Sequence, residues 1–126
     1  MDMRTPLGKV RGLGSAKDGT EHFWRQRLTA VSNLFLIGFF VVFMVLYAGA
    51  PYQDMIAVLH NPLVAIVCAL VIVSVTVHMR LGMQVIIEDY IHVELTKIVL
   101  LILNIFFAIL VAGASLFALL KIAFAG

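Results

Sequence analysis

Charge is what this chain of 126 residues has least of: Asp, Glu, Lys and Arg make up 13% of it, against 63% hydrophobic residues and a mean hydropathy of +1.08. That balance excludes a soluble globular domain, because too few ionised groups remain to solvate a surface, and describes a chain solvated mainly by lipid. Cysteine is almost missing too. The only one, Cys68, lies inside an apolar run, so a disulfide framework and a cysteine-based metal site are excluded and the residue reads as a small packing group. There is no tandem repeat, Gly-rich phosphate loop or zinc-ligand spacing. The net charge of +2 is modest, and no nucleic-acid partner is expected. The length allows one domain at most.

What the chain does have is three long uncharged stretches. Leu28 to Gln53 carries no charged residue, Pro62 to Val77 carries none, and Ile98 to Leu120 carries none. A spanning helix needs about 20 apolar residues, so three of them use roughly half the chain and leave little for an extramembrane catalytic domain. The reading is an all-α membrane protein with three transmembrane helices, at about 28–48, 62–87 and 97–121. Residues 28–126 form the membrane domain, and residues 1–27 a cytoplasmic N-terminal segment. That segment reads as a partly extended tail with a short interfacial stretch at Glu21 to Arg27, where Phe23 and Trp24 reach headgroup level. Asn61-Pro62 marks a turn followed by a helix start. Ala48-Gly49-Ala50 looks like a signal-peptide cleavage site, but the polar leader and the apolar run before it are both too long, and Pro51 would follow the cut.

Orientation follows from the basic residues. Six of the nine, Arg4, Lys9, Arg11, Lys17, Arg25 and Arg27, precede the first span, and the segment 48–61 has none. The positive-inside rule puts the leader and the Arg80 to Lys97 region in the cytoplasm, and 48–61 and the C-terminus outside.

An ionisable residue within a spanning helix is costly and by default functional, and His78 is the one histidine so embedded. Counted from Pro62 it lies roughly 24 Å in from the outer end, in the inner third of a ~30 Å core. A neutral imidazole is a good axial ligand for haem iron in such a setting. Gly82, one turn on, leaves room for a porphyrin, and Ser74, one turn back, is placed to orient the ring. The residues alone equally allow His78 to hydrogen-bond across a helix interface. No His, Met or Cys of the first or third span lies at matching depth, so a six-coordinate haem needs its other ligand from another chain.

Asp89 and Tyr90 follow where the second span leaves the membrane. Eleven steps of 100° return to the same helix face, so Asp89 looks the same way as His78 about 16 Å further on if the helix persists. Read alone, the pair is better accounted for by a solvated interfacial loop, because Asp and Tyr are common at membrane interfaces.

The stretch His78-Met79-Arg80-Leu81-Gly82 through Glu88-Asp89-Tyr90 resembles the signature of the smaller membrane anchor of succinate dehydrogenase: a His, a Gly four residues on, and Asp-Tyr eleven and twelve on. Arg27-Leu28-Thr29-Ala30-Val31 resembles the start of that family's first helix, and the three-span layout agrees along nearly the whole chain. The resemblance implies half of a heterodimeric haem-binding helical bundle. One haem b would be shared with a second, larger three-helix membrane anchor subunit, with His78 as one axial ligand. It also implies a flavoprotein with FAD and an iron-sulfur protein with its clusters docked on the inner face, and ubiquinone as substrate. Tyr90 would donate to a quinone carbonyl and Asp89 assist with protons or orientation. This chain would itself not oxidise succinate. The location implied is the bacterial cytoplasmic membrane, ahead of the mitochondrial inner membrane.

Around that motif, Arg80 and Arg27 are candidates to neutralise a haem propionate or polarise the quinone site, and equally to act as plain inner-face anchors. Trp24 is at the depth to line the same region or to anchor at the interface. Ser32, Asn33 and Asn104 read as interhelix hydrogen-bonding groups. Three other readings were open to the sequence. The pattern of the larger anchor, ending His-Arg-x-Thr-Gly, is not in the chain. A small transporter or assembly protein gives no reason for the His-to-Asp-Tyr spacing, and a stand-alone b-type cytochrome needs a second histidine at matching depth.

Overall fold

The computed structural model describes residues 5–12 and 17–125 of the chain. Within them it is built of α1 (Pro6–Val10), α2 (Lys17–Tyr47), α3 (Tyr52–Leu59), α4 (Pro62–Tyr90) and α5 (Glu94–Phe124). α2, α4 and α5 are each long and apolar enough to cross a bilayer, and they coincide with the three expected spans.

The helices run further than their uncharged stretches. α2 starts at Lys17, so Glu21 to Arg27 is helical and continuous with the first span. The cause is local: Glu21 pairs with Arg25, and the Arg27 guanidinium sits 4.9 Å from the centre of the Phe23 ring. Both are i,i+4 pairs that hold a polar segment helical. The leader, expected to be partly extended, contains one short helix. Thr5 caps the short α1 by accepting from the Gly8 amide at 3.1 Å, with Pro6 in its first turn. The rest of the expected partly extended tail, residues 1–4 and 13–16, lies outside the described residues.

The segment between α2 and α4 also holds a helix, α3. His60 just beyond it donates from Nδ1 to the Ala123 carbonyl at 3.1 Å, which ties this end of the molecule to the end of α5. Asn61 caps α4 by accepting from Leu63 N at 3.0 Å, and Pro62 opens it. α4 then runs unbroken to Tyr90. Only Ile91 to Val93 separate it from α5, so Glu88, Asp89 and Tyr90 form a helical turn rather than a loop.

α4 is the middle of the fold. It packs on α2 along one side and on α5 along the other, and α2 and α5 share no comparable interface. The buried positions are sparse and unusually polar: Asn33, Ser74, Thr76 and Asn104 lie beside Phe43, Cys68, Val71, Leu81, Ile87, Ala108 and Leu119. Leu34, Phe35, Leu110 and Phe117 point outward, each about 70% exposed. This inversion suits lipid, where moving a leucine between helix and bilayer gains little and association relies on close packing and interhelix hydrogen bonds. Asn104 Nδ2 donates to the Arg80 carbonyl at 2.9 Å and joins α5 to α4 in this way.

Candidate functional site

The α2–α4 interface carries a seam of polar groups. On α2, His22, Gln26, Thr29 and Asn33 recur at intervals of four, three and four, which places them on one face. On α4, Ser74, His78 and Gly82 recur every four residues on the opposing face. The rung furthest from the N-terminus of α2 is Ser74 Oγ, which donates to Asn33 Oδ1 at 2.7 Å and lies 3.0 Å from Ser32 Oγ. The next is Thr29 Oγ1, 3.1 Å from His78 Nδ1. Beyond it Gln26 lies over Gly82, where a Cβ would stand 3.6 Å from the amide nitrogen Nε2.

Ser74 therefore does not orient the His78 ring as the sequence suggested. Its hydroxyl is taken up by two partners across the interface, which would otherwise be left without one. Thr29, one turn nearer the N-terminal end of α2, holds the imidazole instead. Thr29 is the residue sequence reasoning missed. The signal was present in the four-residue polar stripe on α2, but matching it to His78 requires the relative register of two helices.

His78 is half-buried, and among the described residues its hydrogen bonding uses Nδ1 alone, which leaves Nε2 without a partner. Beside it runs an open groove of about 430 Å³, lined by Thr29, Ser32 and Ser74 together with Phe35, Leu70 and Val77. The part of the seam nearest the N-terminus of α2 is less complete. His22 Nε2 and Gln26 Oε1 are buried with no hydrogen-bond partner among the described residues. Those residues contain no cluster of three or more His, Cys, Asp or Glu side chains, so a single imidazole is what this chain offers a metal here. A haem needs only that one protein ligand from each side, and the donor set fits it.

The other candidates are dispersed around this seam. Gly82 belongs to it, although the neighbour its missing side chain admits is Gln26. Asp89 lies on the His78 side of α4, because α4 persists, about 16 Å further along. Tyr90 is turned toward α5. It edges an apolar groove of about 430 Å³ with Met83, Ile87, Leu100, Leu103 and Phe107. Arg80 is on the far side of α4 from His78, in a smaller groove of about 210 Å³ against Ala108 and Ala112, with its Nε buried and unpartnered among the described residues. Arg27 and Trp24 are exposed on the side of α2 turned away from α4, with Trp24 edge-on to Phe23 at 6.3 Å. The structure thus places His78, Ser74 and Gly82 in one seam, with Asp89 on the same face of α4 but about 16 Å away, and it leaves Tyr90, Arg80, Arg27 and Trp24 on other faces.

Comparison with known proteins gives a consistent picture. Residues 1–119 match the family described as succinate dehydrogenase/fumarate reductase transmembrane subunit. The chain is 31% identical over 117 residues to the succinate dehydrogenase hydrophobic membrane anchor subunit of Rickettsia bellii (strain RML369-C), covering 93% of this chain and 94% of that one. It is 29% identical over 117 residues to the protein of the same description from Paracoccus denitrificans, covering 93% and 90%. Over 89 residues it is 30% identical to the succinate dehydrogenase membrane anchor subunit of Reclinomonas americana, covering 66% and 72%. No solved structure gives a significant match.

Proposed function

This chain belongs to the family of succinate dehydrogenase/fumarate reductase transmembrane subunits, and from that premise we propose that it is the smaller membrane anchor of a succinate:ubiquinone oxidoreductase, with His78 as one axial ligand of a haem b. The observation that carries this reading is the state of His78: one ring nitrogen is fixed by Thr29 and the other is free, beside an open groove on the α2–α4 face.

An open layer of three helices, with α4 between the others and a polar-floored groove along it, is the shape of half a bundle. The occupant of that face is a second helical anchor that supplies the opposite haem ligand. When bound, haem b supplies one-electron chemistry close to the quinone. Arg80 and Arg27 are the cations of this chain nearest that level of the membrane, Arg80 with a buried Nε still lacking a partner among the described residues. Both are turned away from the His78 side chain, and they hold the helices at the inner surface.

The quinone end of the site is formed by Tyr90 and Asp89 in the last turn of α4. The Tyr90 hydroxyl donates to a quinone carbonyl, and the apolar groove beside it accommodates the non-polar part of the molecule. Asp89, exposed one residue earlier, assists proton delivery. The side chains that oxidise succinate, FAD and the iron-sulfur clusters belong to a flavoprotein and an iron-sulfur protein docked on the same inner face, and this chain anchors them to the membrane. In a bacterium that membrane is the cytoplasmic one, with the N-terminus inside.

The test is the absorption spectrum of the purified, reduced complex carrying wild-type chain or His78→Ala. A b-type band in the wild type that is lost or displaced in the variant supports the reading. A wild-type complex without such a band, or a variant with an identical one, overturns it.

A further inference from the structure

The hydroxyl of Thr29 has one hydrogen and three neighbours that compete for it. The Arg25 carbonyl is 2.9 Å away, the Gln26 carbonyl 3.1 Å, and His78 Nδ1 3.1 Å. A threonine in a helix commonly donates to the carbonyl three or four residues back. If the hydrogen pointed at His78 instead, the hydroxyl oxygen would face two carbonyl oxygens at contact distance with no hydrogen between them. The arrangement that satisfies every contact has the hydroxyl donating to α2's own carbonyl and accepting from His78 Nδ1–H.

The imidazole tautomer follows from this. A neutral imidazole carries one N–H, so an Nδ1–H bonded to Thr29 leaves the lone pair on Nε2. With the opposite direction of bonding, Nε2 would carry the proton and could not bind a metal. We propose that Thr29 is a positioning residue for His78: relayed through its hydroxyl, the first turns of α2 set the tautomer that makes Nε2 the ligating nitrogen. This inference rests on the haem reading above and adds to it the residue that selects the ligand atom.

The relay has an electronic consequence. A ring that donates through Nδ1 gains basicity and becomes a better donor to oxidised iron. Removing the acceptor weakens the ligand and favours the reduced state. In the intact complex with both anchors, Thr29→Val keeps the shape and deletes the hydroxyl, and Thr29→Ser keeps the hydroxyl.

The expected result is a positive shift of the haem midpoint potential and altered low-spin g-values in Thr29→Val, with Thr29→Ser matching the wild type in both. Ser74→Ala is the control, because it breaks a rung of the same seam without touching His78. If Thr29→Val matches the wild type, or if Ser74→Ala changes potential and g-values as much as Thr29→Val does, Thr29 does not position His78. His78→Ala, measured alongside, separates the two ideas. A changed spectrum there with an unchanged Thr29→Val sinks the positioning role alone, and an unchanged spectrum in His78→Ala sinks the haem reading together with it.

Discussion

Asp89 and Tyr90 are consecutive residues that face different neighbours: about 100° apart around the last turn of α4, Asp89 lies on the side of α2 and Tyr90 lines the groove against α5. Their usefulness as a pair therefore depends on α4 staying helical through residue 90. A loop would leave their directions undefined. A helix gives one apolar surface with a phenol at its rim and one carboxylate around the corner, open to water.

Loss of the Tyr90 hydroxyl should separate two activities. In Tyr90→Phe, succinate-to-quinone turnover is expected to fall about tenfold or more, the equivalent of roughly 1.4 kcal/mol for a hydrogen bond that strengthens in the transition state. Succinate oxidation with a soluble artificial acceptor should stay at the wild-type rate. Equal losses in the two assays would mean that the complex assembles poorly, and the hydroxyl would have no quinone role.

Asp89→Asn keeps the shape and removes the carboxylate, so the defect should depend on proton availability. The deficit in quinone reduction is expected to be largest at alkaline pH and to narrow as pH falls, because protons from water then substitute for the missing acceptor and donor. A pH–rate profile parallel to the wild type would remove Asp89 from proton delivery.

Much of this layout is legible in the sequence, and the limits are physical. Absence of charge located the three spans, since the cost of burying Lys, Arg, Asp or Glu in hydrocarbon is several times that of any other local preference. The start of α2 escaped the same logic because Glu21 with Arg25, and Phe23 with Arg27, stabilise a helix in residues that are polar overall. The His78, Asp89 and Tyr90 spacing was readable because it lies within one helix. The partner of His78 was not. Spacing along α4 pointed to Ser74, whereas pairing across the interface depends on how far α2 is slid and rotated against α4, and the hydroxyl of Thr29 ended up at that level.

The Ser74 rung of the seam offers a prediction about stability alone. Ser74→Ala leaves Asn33 Oδ1 and Ser32 Oγ without the partner that Ser74 gives them across the interface. The expected cost is about 1 kcal/mol, close to what interhelix hydrogen bonds contribute in membranes. Thermal unfolding of the detergent-solubilised complex should shift down slightly, and the reduced haem spectrum should be unchanged. A spectral change would restore Ser74 as a neighbour acting on His78.

Gly82 gives the sharpest steric test, because the space it leaves is filled by a side chain and not by backbone. A Cβ at that position meets only Gln26 Nε2, at an ordinary contact distance of 3.6 Å, so Gly82→Ala should be nearly neutral. Gly82→Leu asks for several more atoms in the same interface, one turn from His78. Gln26 must then swing away, or α2 must move off α4, and either response disturbs the level at which Thr29 meets the imidazole. Overpacking of this kind costs about 1–3 kcal/mol. Haem content per complex should accordingly stay at the wild-type value in Gly82→Ala and fall markedly in Gly82→Leu. Full haem content with Gly82→Leu would show that the interface at this level is loose, and that the missing side chain of Gly82 is not what lets α2 and α4 close around His78.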